Sequence, residues 1–221
     1  LKKKMLNWAK RFNIFCFLDN QDYSIKPHQY ECLLGAGVVK RVSSKKIKDV
    51  DDFLQQNKSW VFGHLSYEMK NRIYHFDSGK EDRIGFPEFF FFKPEFFLQI
   101  QGDQLLIQGE NCGEIYNQIV TEECSYQSSS QIIVKQKLTK AEYIEKVSRL
   151  QQHIVRGDCY EINFCQEFFA EAVEIDPVEI FQRLVEISPN PFSALYKWND
   201  CYLICASPER FIAKKGNKLF S

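Results

Sequence analysis

Four consecutive phenylalanines, Phe89 to Phe92, constrain the fold of this chain more than any other feature. Successive side chains of a strand point to opposite faces, so a run of large apolar residues suits a strand buried on both faces. A cofactor-stacking aromatic box is the other reading of the same run. Aromatic strands recur from Pro87 to Ile107. Gly102-Asp103 forms the hairpin turn between Phe96-Phe97-Leu98-Gln99-Ile100 and Leu105-Leu106-Ile107. With 15% aromatic and 44% hydrophobic residues over 221 positions, there is enough apolar material for a sizeable core.

The rest of the pattern is mixed. Residues 13–19, 30–36 and Trp60 to Tyr67 read as strands, and Asp49 is expected to cap a short helix running to about Asn57. Thr121 to Gln131 is polar and serine-rich, the best candidate linker. Beyond it, Thr139 and Glu142 form a capping box. Tyr143, Val147, Leu150 and Ile154 make an apolar stripe, and Gly157 is placed to end the helix. Residues Glu161 to Glu171 alternate like a strand. A second helix begins after Asp176 with Pro177 at its first position and stops before Pro189. Ser193 to Trp198 and Cys201 to Ala206 predict a hairpin turning at Asn199-Asp200, and Gly216-Asn217 turns a last strand pair. Antiparallel strands with capped helices between them predict an α+β fold, with sheets facing each other and helices outside.

Charge and cysteine usage narrow the class. The 29 basic and 29 acidic residues cancel, so no net field draws nucleic acid or an acidic membrane. The basic start, Leu1 to Phe12, lacks a signal-peptide core and reads as an amphipathic helix with Met5, Trp8 and Phe12 on one face. No run reaches the length of a membrane span. The eight cysteines form no C-x-x-C pair and no zinc-like spacing with the four histidines. They read as reduced thiols in a cytoplasmic protein.

One carboxylate stands out. Ser207-Pro208-Glu209-Arg210-Phe211 follows the strand Tyr202 to Ala206, and the proline forces a turn where that strand ends. Glu209 is thereby presented at a sheet rim. Residue chemistry leaves two readings open: a working carboxylate, or a structural one, either a Glu209–Arg210 surface pair or a turn carboxylate satisfied by backbone N–H groups.

Three segments together resemble a known family. They are Arg156-Gly157-Asp158-Cys159-Tyr160-Glu161-Ile162-Asn163-Phe164, then Asn190-Pro191-Phe192-Ser193-Ala194, then Ser207-Pro208-Glu209-Arg210-Phe211. Their order and separations resemble the chorismate-utilising enzymes that include the component I subunits of aminodeoxychorismate synthase and anthranilate synthase. Leu18-Asp19-Asn20 and Trp60 to Glu68 are similar to that family's N-terminal motifs. The chain departs from the pattern at Glu161 (usually Gln), at Asn20 (usually Ser), and at Asn190-Pro191-Phe192, which lacks a second proline.

The resemblance implies a layered αββα sandwich, incomplete in this chain. Residues 1–135 would be the family's N-terminal region and 136–221 the start of its chorismate-binding catalytic domain. It implies amination of chorismate to 4-amino-4-deoxychorismate, with ammonia from a glutamine amidotransferase subunit and with Mg²⁺ held by ligands beyond residue 221. Anthranilate synthesis is the alternative, as is an amino-acid-binding module without catalysis. Glu209 would be the general acid/base, expected to be partly buried so that it stays protonated. Leu18, Asp19, Asn20, Pro191, Phe192 and Ser193 would form a tryptophan-like pocket, with Asp19 pairing an α-amino group and Pro191 and Phe192 walling an indole.

Overall fold

The computed structural model describes residues 1–24, 30–43, 46–75, 82–123 and 132–221. The chain begins with helix α1 (Lys2–Ala9), strands β1 (Ile14–Asp19), β2 (Cys32–Ala36) and β3 (Lys40–Val42), and helix α2 (Ile47–Gln56). Strand β4 (Phe62–Leu65), helix α3 (Met69–Tyr74), strands β5 (Phe89–Lys93), β6 (Phe96–Gln101) and β7 (Gln104–Gln108), and helix α4 (Cys112–Thr121) follow. Next come β8 (Lys135–Gln136), α5 (Lys140–Arg156), β9 (Phe168–Phe169) and α6 (Pro177–Ile187). The chain closes with β10 (Phe192–Trp198), β11 (Cys201–Ser207), β12 (Ala213–Lys215) and β13 (Lys218–Phe220).

Two compact units are present, residues 1–126 with 177–221, and residues 127–176. These units and the sequence segments divide the chain differently. β10 and β11, beyond residue 136 in sequence, belong to the sheet built by β1, β2, β6 and β7.

The larger unit is an α/β/β/α sandwich in which all paired strands run antiparallel. Its six-stranded sheet has the order β11-β10-β1-β2-β6-β7, and its three-stranded sheet the order β3-β5-β4. One face of the large sheet presents Phe15, Phe17, Leu34, Leu98 and Leu195 to α1, α4 and α6. The other face presents Ile14, Cys16, Leu33, Phe97 and Tyr196 to Phe62, Phe90 and Phe92 of the small sheet. Beyond the small sheet, Phe89 packs with Val50 of α2 and Met69 of α3. β5 is therefore the strand covered on both faces that the phenylalanine run predicts, and its residues are core rather than a stacking box.

Several local expectations hold. α1 docks through Met5 and Trp8, both fully buried, while Phe12 lies just past the helix end with its ring tilted against Trp8, centroids 5.0 Å apart. The hairpin β6–β7 turns at Gly102, whose φ of +57° suits glycine. β12 and β13 turn at Gly216 (φ +58°), and β10 and β11 turn at Asn199. α6 starts at Pro177 and ends before Pro189. The seven described cysteines are free, and burial pushes the Cys16 thiol up to about 12.

Other expectations are corrected. Asp49 lies in the first turn of α2, and the N-cap is Lys46, without a side-chain cap bond. The strand read over Trp60 to Tyr67 shortens to Phe62–Leu65. Of the alternating run Glu161 to Glu171, only Phe168–Phe169 pairs, with Lys135–Gln136. A strand needs a neighbour along its whole length, and alternation alone does not supply one. The candidate linker Thr121 to Gln131 begins at the last residue of α4, and residues 124–131 lie outside the described ones.

The smaller unit carries α5 with both its caps as expected. Thr139 Oγ1 accepts from the Glu142 N–H, and the Glu142 carboxylate accepts from the Thr139 N–H at 2.8 Å. Gly157 closes the helix at φ +86°. Among described residues no helix is long and apolar enough to cross a membrane.

Candidate functional site

Antiparallel register brings distant segments to one place. Asp19, the last residue of β1, pairs with Ser193 of β10, and Phe192 pairs with Ser207, the last residue of β11. The ends of three strands thus meet at one edge of the larger unit. A cavity of about 790 Å³ opens there. It is lined by all seven residues singled out from sequence: Leu18, Asp19, Asn20, Pro191, Phe192, Ser193 and Glu209. The sequence treated Glu209 and the other six as two sites, whereas the structure places them around one cavity. Both its walls belong to the larger unit.

The polar groups of the β1 and β10 side are largely spent on holding loops. Asn20 is buried. Its side-chain oxygen accepts from the Asp22 N–H (3.0 Å) and its amide donates to the Tyr23 carbonyl (3.1 Å). Ser193 is buried too and donates to the Asn190 carbonyl at 2.8 Å. Asn20 thus serves the turn after β1, a task for which short amides are suited. Leu18, Pro191 and Phe192 supply the apolar surface.

Asp19 already has a cation. Its carboxylate, buried at the end of β1, accepts from Lys2 Nζ at 3.0 Å and from the Gln21 N–H at 3.0 Å. Lys2 also reaches Glu31 at 3.1 Å and Asp22 at 3.2 Å. Burial works against the Lys2 charge, but Asp19, Glu31 and Asp22 together hold its pKa well above the ordinary lysine range. The sequence reading paired Asp19 with a ligand's α-amino group. Here that position is taken by the Lys2 side chain of α1, a helix that packs directly on the sheet.

Glu209 sits where Pro208 turns the chain off the β11 rim. Its N–H donates to Ser207 Oγ (3.3 Å), and Ser207 Oγ donates back to the Glu209 carbonyl (3.1 Å). The side chain is exposed, so the partial burial expected for a general acid is not provided by the protein groups around it. The next residue is anchored: the Arg210 guanidinium lies 5.2 Å over the Phe192 ring.

Sequence reasoning missed Glu31, Gly63, Lys214, Lys215 and Phe220 as cavity residues. Gly63 lies within the segment Trp60 to Glu68 that carried a motif, so its signal was available. The other four carry none that one sequence displays. The cavity lining combines carboxylates (Asp19, Glu31, Glu209), basic residues (Arg210, Lys214, Lys215) and apolar residues such as Leu18, Leu33, Pro191 and Phe192. Such a lining suits a compact, polar-edged organic acid or amino acid.

Among described residues no group of three or more His, Cys, Asp or Glu is arranged to hold a metal ion, and the acidic group at Asp19 is occupied by Lys2.

Comparison with known proteins agrees with the motifs. Residues 10–221 match the family described as chorismate binding enzyme. A 75-residue stretch is 40% identical to aminodeoxychorismate synthase component 1 of Salmonella typhimurium, covering 34% of this chain and 16% of that protein. A longer match, 180 residues at 23% identity, joins 77% of this chain to 36% of an anthranilate synthase component I-like protein of Synechocystis. The fold is shared with the crystal structure of anthranilate synthase component I from Streptococcus pneumoniae, at a TM-score of 0.71 and 17% identity over 89% of this chain. The chain spans 54% of that solved protein. With almost its whole length matched, this chain belongs to the chorismate binding enzyme family.

Proposed function

We propose that this chain forms part of an aminodeoxychorismate synthase component I. The reaction joins chorismate and ammonia, delivered by a glutamine amidotransferase subunit, to give 4-amino-4-deoxychorismate with loss of the C4 hydroxyl. The observation that carries the reading is Glu209, held by a Ser207-Pro208 turn at a strand rim and lining the cavity. Hydroxide is a poor leaving group, so its departure needs a proton donor. A substrate seated in the cavity would meet the exposed Glu209 carboxyl directly. The local 40% match to a component 1 protein of this name also supports the reading.

Mg²⁺ and the groups that hold it belong to this proposal by family, as does a cytoplasmic setting. Anthranilate synthesis is the second reading, favoured by the Synechocystis relative and its longer match. A bound tryptophan-like amino acid is favoured by the convergence of Leu18, Asp19, Asn20, Pro191, Phe192 and Ser193, although its ammonium would have to share Asp19 with Lys2.

The test uses the intact protein containing this chain, with chorismate, Mg²⁺ and ammonium, and separates products by chromatography. The expected product is 4-amino-4-deoxychorismate, and fluorescent anthranilate as the main product would reject the first reading in favour of the second. Glu209→Gln should lower turnover about a hundredfold or more while leaving the thermal transition near wild type. Near-normal turnover in that variant would remove Glu209 from the chemistry.

A further inference from the structure

The turn that carries Glu209 is short and has few anchors of its own. Among the described residues Ser207 Oγ bonds to the backbone of Glu209, which sets the turn but does not fix it against the cavity. Arg210 supplies the missing link. Its guanidinium lies 5.2 Å from the centroid of Phe192, and Phe192 is the first residue of β10, paired in register opposite Ser207. Phe192, Glu209 and Arg210 all line the same cavity. The ring is half-buried against the sheet end, so it offers a face that moves little while the guanidinium stacks on it.

We infer that Arg210 is a positioning residue: stacked on Phe192, it latches the 207–210 turn to β10 and so sets where the Glu209 carboxyl stands. The inference rests on the assignment of Glu209 as the general acid. It gives Phe192 a task besides lining a ligand pocket, and it ties the Asn190-Pro191-Phe192 segment mechanically to Ser207-Pro208-Glu209-Arg210. A general acid displaced by about an ångström loses much of its effect, because proton transfer depends on hydrogen-bond reach to the leaving oxygen.

The experiment is steady-state kinetics of the intact protein for Arg210→Met, Arg210→Lys, Phe192→Leu, Phe192→Tyr and the Arg210→Met/Phe192→Leu double variant. Arg210→Met and Phe192→Leu should each lower kcat about tenfold with KM changed by less than about twofold. Phe192→Tyr, which keeps the ring face, should restore most of the kcat lost in Phe192→Leu. Arg210→Lys, which keeps the charge without the planar fork, should fall between wild type and Arg210→Met. The double variant should be no slower than either single one, since both remove one contact. Multiplying losses in the double variant, or a loss confined to KM, would overturn the latch. Glu209→Gln separates the two levels. If it is impaired and Arg210→Met is not, the latch alone fails, and if Glu209→Gln is active the general-acid assignment fails with it. Should Arg210→Met not fold, Phe192→Leu against Phe192→Tyr decides the same question.

Discussion

Gly63→Ala is a direct test of how the two sheets and the cavity are built. Gly63 lies in β4, opposite Phe91 of β5, and lines the cavity. A Cβ placed on its backbone would sit 2.0 Å from the Phe90 carbonyl oxygen and 2.8 Å from Phe91 Cα. Both are main-chain atoms of the central strand of the small sheet, whose Phe90 and Phe92 fill the space between the sheets. No side-chain rotation relieves such a clash, so β4 must separate from β5. Overpacking of a dense core costs about 1 to 3 kcal/mol, and an immovable backbone neighbour argues for the upper end, about 3 kcal/mol. For a protein of this size that corresponds to a fall in thermal midpoint of about 6 to 12 °C. The assay is calorimetric or circular-dichroism melting of the intact protein beside Gly113→Ala as control. Gly113 lies in α4, where a Cβ meets nothing within 4 Å. Its replacement should leave the midpoint unchanged or raise it slightly, because alanine is the better helix former. A Gly63→Ala midpoint within about 2 °C of wild type would refute the close-approach argument.

Two further outcomes follow from buried and capping groups. His64 Nε2 must donate to the Pro87 carbonyl at 2.8 Å, since that oxygen only accepts, so Nδ1 accepts from the Tyr196 hydroxyl at 3.2 Å. Burial lowers the His64 pKa from its ordinary 6.5, so the unfolded chain binds the proton first. Stability is then full above 6.5 and is lost as pH falls below it. Denaturant midpoints measured from pH 5 to pH 8 should decline on the acid side in wild type and decline less in His64→Gln, and equal slopes would count against the assignment. In the smaller unit, α5 buries no residue, so its first turn depends on the Thr139–Glu142 box. Thr139→Ala should cost about 1 kcal/mol and lower amide-exchange protection in that turn about fivefold, and unchanged protection would show the cap to be redundant.

The legible parts of the sequence were those whose signals are local. The Thr139–Glu142 box, Pro177 at the head of α6, and the turns at Gly102, Asn199 and Gly216 act within a few residues, and the structure forms each of them. The Phe89 to Phe92 run was legible for another reason: four large apolar neighbours leave a strand no exposed face. α4 escaped notice because its N-cap, Asn111, has a left-handed backbone and no side-chain cap bond, and Gly113 weakens its first turn. Its helical character lies in Ile115 and Ile119, which matter only once α1 and the sheet are there to cover them. The run Glu161 to Glu171 failed in the opposite direction. Its alternation is a property of the sequence, but the ladder is a property of neighbours, and among described residues only Phe168–Phe169 finds one.

The candidate site was legible as chemistry and not as geometry, and register is what separates the two. Each of its segments stands at a strand end: Leu18-Asp19 at the close of β1, Phe192-Ser193 at the start of β10, and Ser207 at the close of β11. Antiparallel order β11-β10-β1 places those three ends side by side, with Asp19 opposite Ser193 and Phe192 opposite Ser207. A slip of one residue in either pairing would reverse every side chain of the slipped strand. Leu195, fully buried under the helices, and Tyr196, buried against the small sheet, would exchange faces, so the core holds the register that the site needs. The same constraint explains the sharing of one cavity. Phe192 is a cavity wall because it begins β10, and it lies beside the Glu209 turn because β11 ends opposite it. Any ligand that reaches Phe192 therefore also meets the turn on which the proposed acid stands.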